Sequence, residues 1–185
     1  MRLFAAVVPP PEALADLDDF LEPRRHVAGP RWTDPAQWHL TLAFLPSVPE
    51  RVLDGLVDRL RDAVAGWQGA RLSLAGGGCF PDVTRARVLW CGVHGAESLT
   101  PLAGSVRTAA SVAGAAPDGG PFRPHVTLAR FGRPVEGTRW VRLLDSYRGP
   151  EWVAGEVVLV ESHLPRARGH RPRHEVLARF GGADQ

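Results

Sequence analysis

Gln37-Trp38-His39-Leu40-Thr41-Leu42-Ala43-Phe44 has an echo 86 residues further on, Arg123-Pro124-His125-Val126-Thr127-Leu128-Ala129-Arg130. Both stretches alternate polar and apolar positions with the period of two that marks a half-buried strand. Successive strand side chains point to opposite faces, so each His shares a face with the Thr two places on, with aliphatic residues behind. Each copy therefore offers an imidazole beside a hydroxyl. Two such pairs facing one another would hold an oxyanion, with a proton donor on one side and a proton acceptor on the other. One His-x-Thr alone says little; it is the repeated frame that carries information. The plainer alternative is an old duplication that left similar strands with no chemistry.

Working outward, residues 2–8 read as a strand. Residues 10–21 read as a helix with Pro at its start and Leu14, Leu17, Phe20 and Leu21 on one side. After the first His strand, over 38–44, Ser47-Val48-Pro49-Glu50 has capping-box spacing for a helix carrying Leu53, Leu56, Val57, Leu60 and Val64. Strands are expected over 71–75 and 85–93, with the triple Gly at 76–78 as a turn between them. A helix is expected near 98–114, the second His strand over 122–131, and a short helix including Trp140, Leu144 and Tyr147. Strands over 153–164 and 174–180 follow, joined by an Arg-rich loop. Strand–helix–His strand–helix–strand is thus performed twice. The fold class expected is α+β: one bilobed unit over 1–185, with half-repeats of about 1–84 and 85–180 related by a pseudo-two-fold axis. Antiparallel-rich sheets would line a central groove, with helices outside.

Composition bounds the chemistry. With 185 residues, 44% hydrophobic and 23% charged, the chain can bury a proper core. It has no Lys: all 22 basic residues are Arg. A Walker-type phosphate loop needs its Lys, and so does a ligase that forms a lysyl-nucleotide, so both are excluded. Ile and Asn are also missing, which points to a GC-rich genome; Arg abundance is then no evidence for phosphate binding, and only its placement counts. No apolar run is long enough to span a bilayer, and Pro9-Pro10-Pro11 cuts short the apolar start, so a cytoplasmic protein is expected. Cys79 and Cys91 form no C-x-x-C pair and are expected as reduced thiols in or near strands.

Together with Met1-Arg2-Leu3-Phe4-Ala5, Arg31-Trp32 and Arg87-Val88-Leu89-Trp90, the paired motifs resemble the two-histidine (2H) phosphoesterases. Within that group they are similar to the bacterial and archaeal RNA 2′,3′-cyclic phosphodiesterases, historically called 2′-5′ RNA ligases, and the resemblance runs over nearly the whole chain. It implies hydrolysis of RNA 2′,3′-cyclic phosphate ends to 2′-phosphomonoesters, with His39 as proton donor to the O3′ leaving group and His125 as proton acceptor from water. Imidazole suits both tasks because its pKa near 6.5 leaves each protonation state accessible. Thr41 and Thr127 would donate to the non-bridging oxygens. Reverse joining of a 5′-hydroxyl to the cyclic phosphate would need no ATP.

Three further positions are candidates for substrate binding. Arg123, two residues before His125, shares its face and could anchor phosphate. Phe44 and Arg130 stand at equivalent places in the two copies and could stack a base and pair with phosphate, but strict alternation puts both on the face opposite the histidines, so a bulge or strand end is required. No cofactor and no metal are expected: two His need a third ligand, and neither motif carries one beside its His. The partner expected is RNA with a 2′,3′-cyclic phosphate end, or a small cyclic nucleotide such as ADP-ribose 1″,2″-cyclic phosphate. No membrane or obligate protein partner is expected, and a monomer is. A non-catalytic module that binds RNA ends is the alternative outside enzymology, and the loop carrying Arg166, Arg168, Arg171 and Arg173 could track an RNA backbone by charge.

Overall fold

The computed structural model describes residues 1–164 and 172–181. Among them, the strands are β1 (Leu3–Val7), β2 (Pro30–Trp32), β3 (Leu40–Leu45), β4 (Ala70–Phe80), β5 (Ala86–His94), β6 (Val126–Val135), β7 (Arg148–Ala154), β8 (Glu156–His163) and β9 (Arg173–Gly181). The α-helices are α1 (Pro11–Leu21), α2 (Leu53–Ala65), α3 (Leu99–Val112) and α4 (Thr138–Asp145). The fold is α+β, and every strand pairing is antiparallel.

Strand order is β7-β4-β5-β6-β3-β1-β8-β9, with β2 added along β6. This order is symmetric about the β6–β3 seam. Outward from each His strand lies the strand that opens its half-repeat, β1 beside β3 and β5 beside β6. The seam is thin, with Leu40 opposite Val126 as its one registered pair. Beyond Val126, β2 takes over as partner of β6, with Trp32 opposite Ala129. Released from β6, Thr41–Leu45 runs along its own side of a cleft.

One face of the sheet carries the main core. Leu3, Ala5, Leu40, Leu42, Leu72, Leu89, Cys91, Val126, Leu128, Val157 and Leu159 pack there against Leu17 and Leu21 of α1, Leu56, Leu60 and Val64 of α2, Leu99, Leu102 and Val106 of α3, and Leu144 of α4. Their spacing in each helix is that of a single apolar stripe. The opposite face, the groove face, holds a smaller cluster of Phe4, Ala6, Val158 and Val160 with Phe44 against it. Cys79 and Cys91 are free and buried, on β4 and β5.

Four local expectations are corrected. Ser47–Glu50 forms no capping box: the Val48 N–H donates instead to the Met1 carbonyl (2.8 Å), holding Val48 in an extended segment, and Glu50–Val52 turns as a 3₁₀ helix before α2 begins. The triple Gly is strand, not turn. A Cβ on Gly78 would come 2.3 Å from the Trp90 ring and one on Gly77 2.4 Å from Leu144, so glycine lets both side chains cross β4 closely. The single strand expected over 153–164 is two, β7 and β8, on opposite wings of the sheet with Gly155 between them. The His strands start later than expected, at Leu40 and Val126, so each His is the last residue before its strand.

Candidate active site

His39 and His125 are held in the same way. Nδ1 of His39 lies 2.7 Å from the Gln37 carbonyl oxygen, and Nδ1 of His125 lies 2.6 Å from that of Arg123, in each case the residue two places back. A carbonyl can only accept, so Nδ1 carries the proton in both rings and Nε2 is left as the working nitrogen. A flat ring supports each imidazole. Phe4 of β1 stacks on His39, with centroids 4.3 Å apart and planes 17° apart. Trp90 of β5, which stands 86 residues after Phe4, tilts against His125 at 6.0 Å, and Phe80 of β4 meets it edge-on at 4.9 Å.

Each His strand carries a β-bulge just after its Thr, at equivalent places, and β6 has a second register shift further on, between its pairings with Val88 and Ala86. Ala5 faces Ala43 while Ala6 faces Thr41, leaving Leu42 as the extra residue; Leu89 faces Ala129 while Trp90 faces Thr127, leaving Leu128. A bulge turns the following side chain by one face. Leu42 with Ala43, and Leu128 with Ala129, are accordingly buried in the core as adjacent pairs. Phe44 and Arg130 thereby rejoin the face of Thr41 and Thr127. The condition that alternation set for these two residues is met twice over.

The cleft between Thr41–Phe44 and the segment leading to His125 has a volume of ≈ 330 Å³ and is lined by residues that include Thr41, Phe44, Phe80, Asp118, Arg123 and His125. Asp118 N–H donates to the Phe44 carbonyl at 2.8 Å and closes its far end. The Arg2 guanidinium lies over the Phe44 ring at 4.5 Å, and that of Arg123 lies 5.9 Å from the Phe80 ring. Arg31 of β2 stands directly opposite Arg130 of β6. Like charges in that position repel, which an anion between them would relieve.

Burial governs the protonation of the pair. It pulls His39 down from 6.5 to about 4, against the raising effect of the Gln37 carbonyl, and the nearby His174 and His125 lower it further. His125 is also lowered, by burial first and then by the Arg130 charge, against the Arg123 carbonyl. Both shifts favour the neutral ring at pH 7. Among the described residues, no group of three or more His, Cys, Asp and Glu could hold a metal ion, and no helix is long and apolar enough to cross a membrane.

Of the residues singled out in the sequence, Thr41, Phe44, Arg123 and His125 line this cleft; His39 stands next to Leu40, which pairs with Val126 across the seam, and Thr127 and Arg130 follow Val126 on β6. Arg166, Arg168 and Arg171 lie outside the described residues. Sequence reasoning missed Phe4 as a ring support, Gln37 as the anchor of His39, and His174. An offset of 86 from Trp90 points to Phe4; nothing along the chain points to His174.

A family model described as the 2′-5′ RNA ligase superfamily matches residues 9–166. The RNA 2′,3′-cyclic phosphodiesterase of Aquifex aeolicus is 35% identical over 129 residues, covering 69% of this chain and 68% of that protein. The protein of the same name from Thermus thermophilus is 34% identical over 192 residues, covering 97% and 89%. Among solved structures, a protein of Thermus thermophilus superposes with a TM-score of 0.80 at 31% identity, covering 98% of this chain and 97% of that one. LigT of E. coli in its apo form gives 0.76 at 27% identity, covering 97% and 96%. The match to the family model spans both His-x-Thr motifs, and with them the chain belongs to the 2′-5′ RNA ligase superfamily.

Proposed function

We propose that this protein is an RNA 2′,3′-cyclic phosphodiesterase, working by general acid–base catalysis between His39 and His125. The observation that carries the reading is the matched pair of Nδ1–carbonyl bonds, which leave both Nε2 atoms free to handle protons. Its relatives of that name add independent support.

The substrate phosphodiester brings one negative charge into a groove where burial favours the neutral form of both imidazoles. That charge favours protonation of the ring beside it, and His39 takes up a proton as the anion binds. Nε2 of His125 then accepts a proton from water as the water oxygen attacks phosphorus. The P–O3′ bond breaks, and Nε2–H of His39 gives its proton to O3′. The products are a 2′-phosphomonoester and a 3′-hydroxyl, with neutral His39 and protonated His125; the latter returns its proton to solvent. Thr41 and Thr127 donate to the non-bridging oxygens as charge gathers there. Arg123 and Arg130 hold phosphate, and Phe44 offers a ring to a base. A 5′-hydroxyl attacking in place of water opens the ring in the same way and leaves a 2′-5′ bond, without ATP.

The substrate is RNA ending in a 2′,3′-cyclic phosphate, and the protein acts as a cytoplasmic monomer. Turnover of such an RNA in the presence of EDTA tests the reaction. Activity unchanged by the chelator and absent from H39A and H125A is expected; a rate that needs added metal would overturn it.

A further inference from the structure

A third imidazole stands at this groove. His174, on β9, meets the His39 ring edge-on at 5.7 Å and the Phe4 ring at 5.1 Å, so the three rings form one cluster. Its place is fixed from behind, because the Gln37 side-chain amide donates to the Pro172 carbonyl at 2.5 Å. The residue whose carbonyl sets the His39 tautomer thus also ties down the start of β9, two positions from His174.

Packing alone does not account for a histidine here. Among the described residues neither ring nitrogen of His174 has a hydrogen-bond partner, and phenylalanine would fill an aromatic cluster at lower desolvation cost. The surroundings are apolar and continuous. Phe44, Phe4, Val160 and Val176 stand in one cross-strand row over β3, β1, β8 and β9. His174 shares their face, two residues along β9 from Val176, which is 46% exposed. The rings and aliphatic side chains of that row offer carbon to a sugar or base, with the Arg2 guanidinium over Phe44 at one end and His174 at the other.

Resting on the reading above, we infer that His174 is a substrate-binding residue, its free imidazole nitrogen hydrogen-bonding an oxygen of the terminal ribose on the His39 side of the phosphorus. His174 then recognises the nucleoside half of the substrate, while the two His-x-Thr pairs handle the phosphate.

The test is H174F, which keeps the ring and its packing and removes only the nitrogens, beside H174Q, whose amide can restore a donor. Adenosine 2′,3′-cyclic phosphate serves as substrate and 2′-AMP as ligand for equilibrium binding. H174F should raise KM and weaken 2′-AMP binding about tenfold, with kcat within about twofold, and H174Q should recover most of the loss. Unchanged KM and unchanged 2′-AMP affinity in H174F would overturn the assignment. So would a fall in kcat at constant KM, because His174 would then be acting through His39 rather than on the substrate. Should the wild type turn over no cyclic phosphate at all, the catalytic reading fails separately, and 2′-AMP binding to the two variants still decides the role of His174.

Discussion

The two His-x-Thr halves of the groove agree in some features and differ in others. They share the Nδ1–carbonyl bond from the residue two places back, the hydroxyl two places on, the bulged leucine and a flat ring from the neighbouring strand. They differ at the edges. Where one half has Gln37, Phe44 and a flush Phe4 stack with His174 beside it, the other has Arg123, Arg130, an edge-on Phe80 and a tilted Trp90. The shared parts are those that holding a phosphorane and moving protons at both sides of it demand. The unshared parts give the groove a direction, since a symmetric site could not tell the ribose side from the water side.

The sharpest way to break the comparison is to remove one imidazole at a time. H39A and H125A should each lower kcat by about 10³-fold or more while the substrate still binds, as measured by single-turnover rates and equilibrium binding. Variants that differed greatly would mean that one half works alone. Replacing the hydroxyls should cost less: T41V and T127V should each lose roughly 10²-fold in kcat with little change in KM, as expected of donors that act on charge developing in the transition state.

The deeper burial of His39 has a consequence for stability. Its folded-state pKa of about 4 lies below the ordinary 6.5, so between these values the unfolded chain binds a proton that the folded one refuses. Stability should therefore fall as pH drops from 6.5 towards about 4, by on the order of 3 kcal/mol from this group. In H39F, which keeps a ring on Phe4, urea denaturation across that window should show a flatter profile. The smallest effect sharpens the other half. R130Q removes a charge that holds His125 down, so the acid limb of kcat/KM should move to higher pH, with roughly a tenfold loss in kcat/KM from the lost phosphate contact.

The pairing of the bulges with the motif separates what patterns can report from what they cannot. Strand periodicity placed His39 with Thr41 and His125 with Thr127 correctly, because a two-residue step is local. It placed Phe44 and Arg130 on the wrong face unless the strand was broken, and the break is visible only as a register shift against β1 and β5. The triple Gly resembled a turn for a similar reason. What keeps those residues in β4 is the flat Trp90 ring on the adjacent strand and Leu144 from α4, neither of which is near them in the chain. The 153–164 run reads as one continuous strand, and only its two partner strands, β4 and β1, reveal it as two elements.

By itself, the sequence determined the fold class, the paired His-x-Thr motifs and the exclusion of lysine-dependent nucleotide chemistry. All of these are written in local spacing or in composition. The tertiary structure alone decided which nitrogen each histidine presents, that burial lowers its pKa, which rings support it and that the His174 ring packs against His39. Those properties depend on atoms brought together from β1, β3, β4, β5, β6 and β9, and a distance across a sheet leaves no period along the chain.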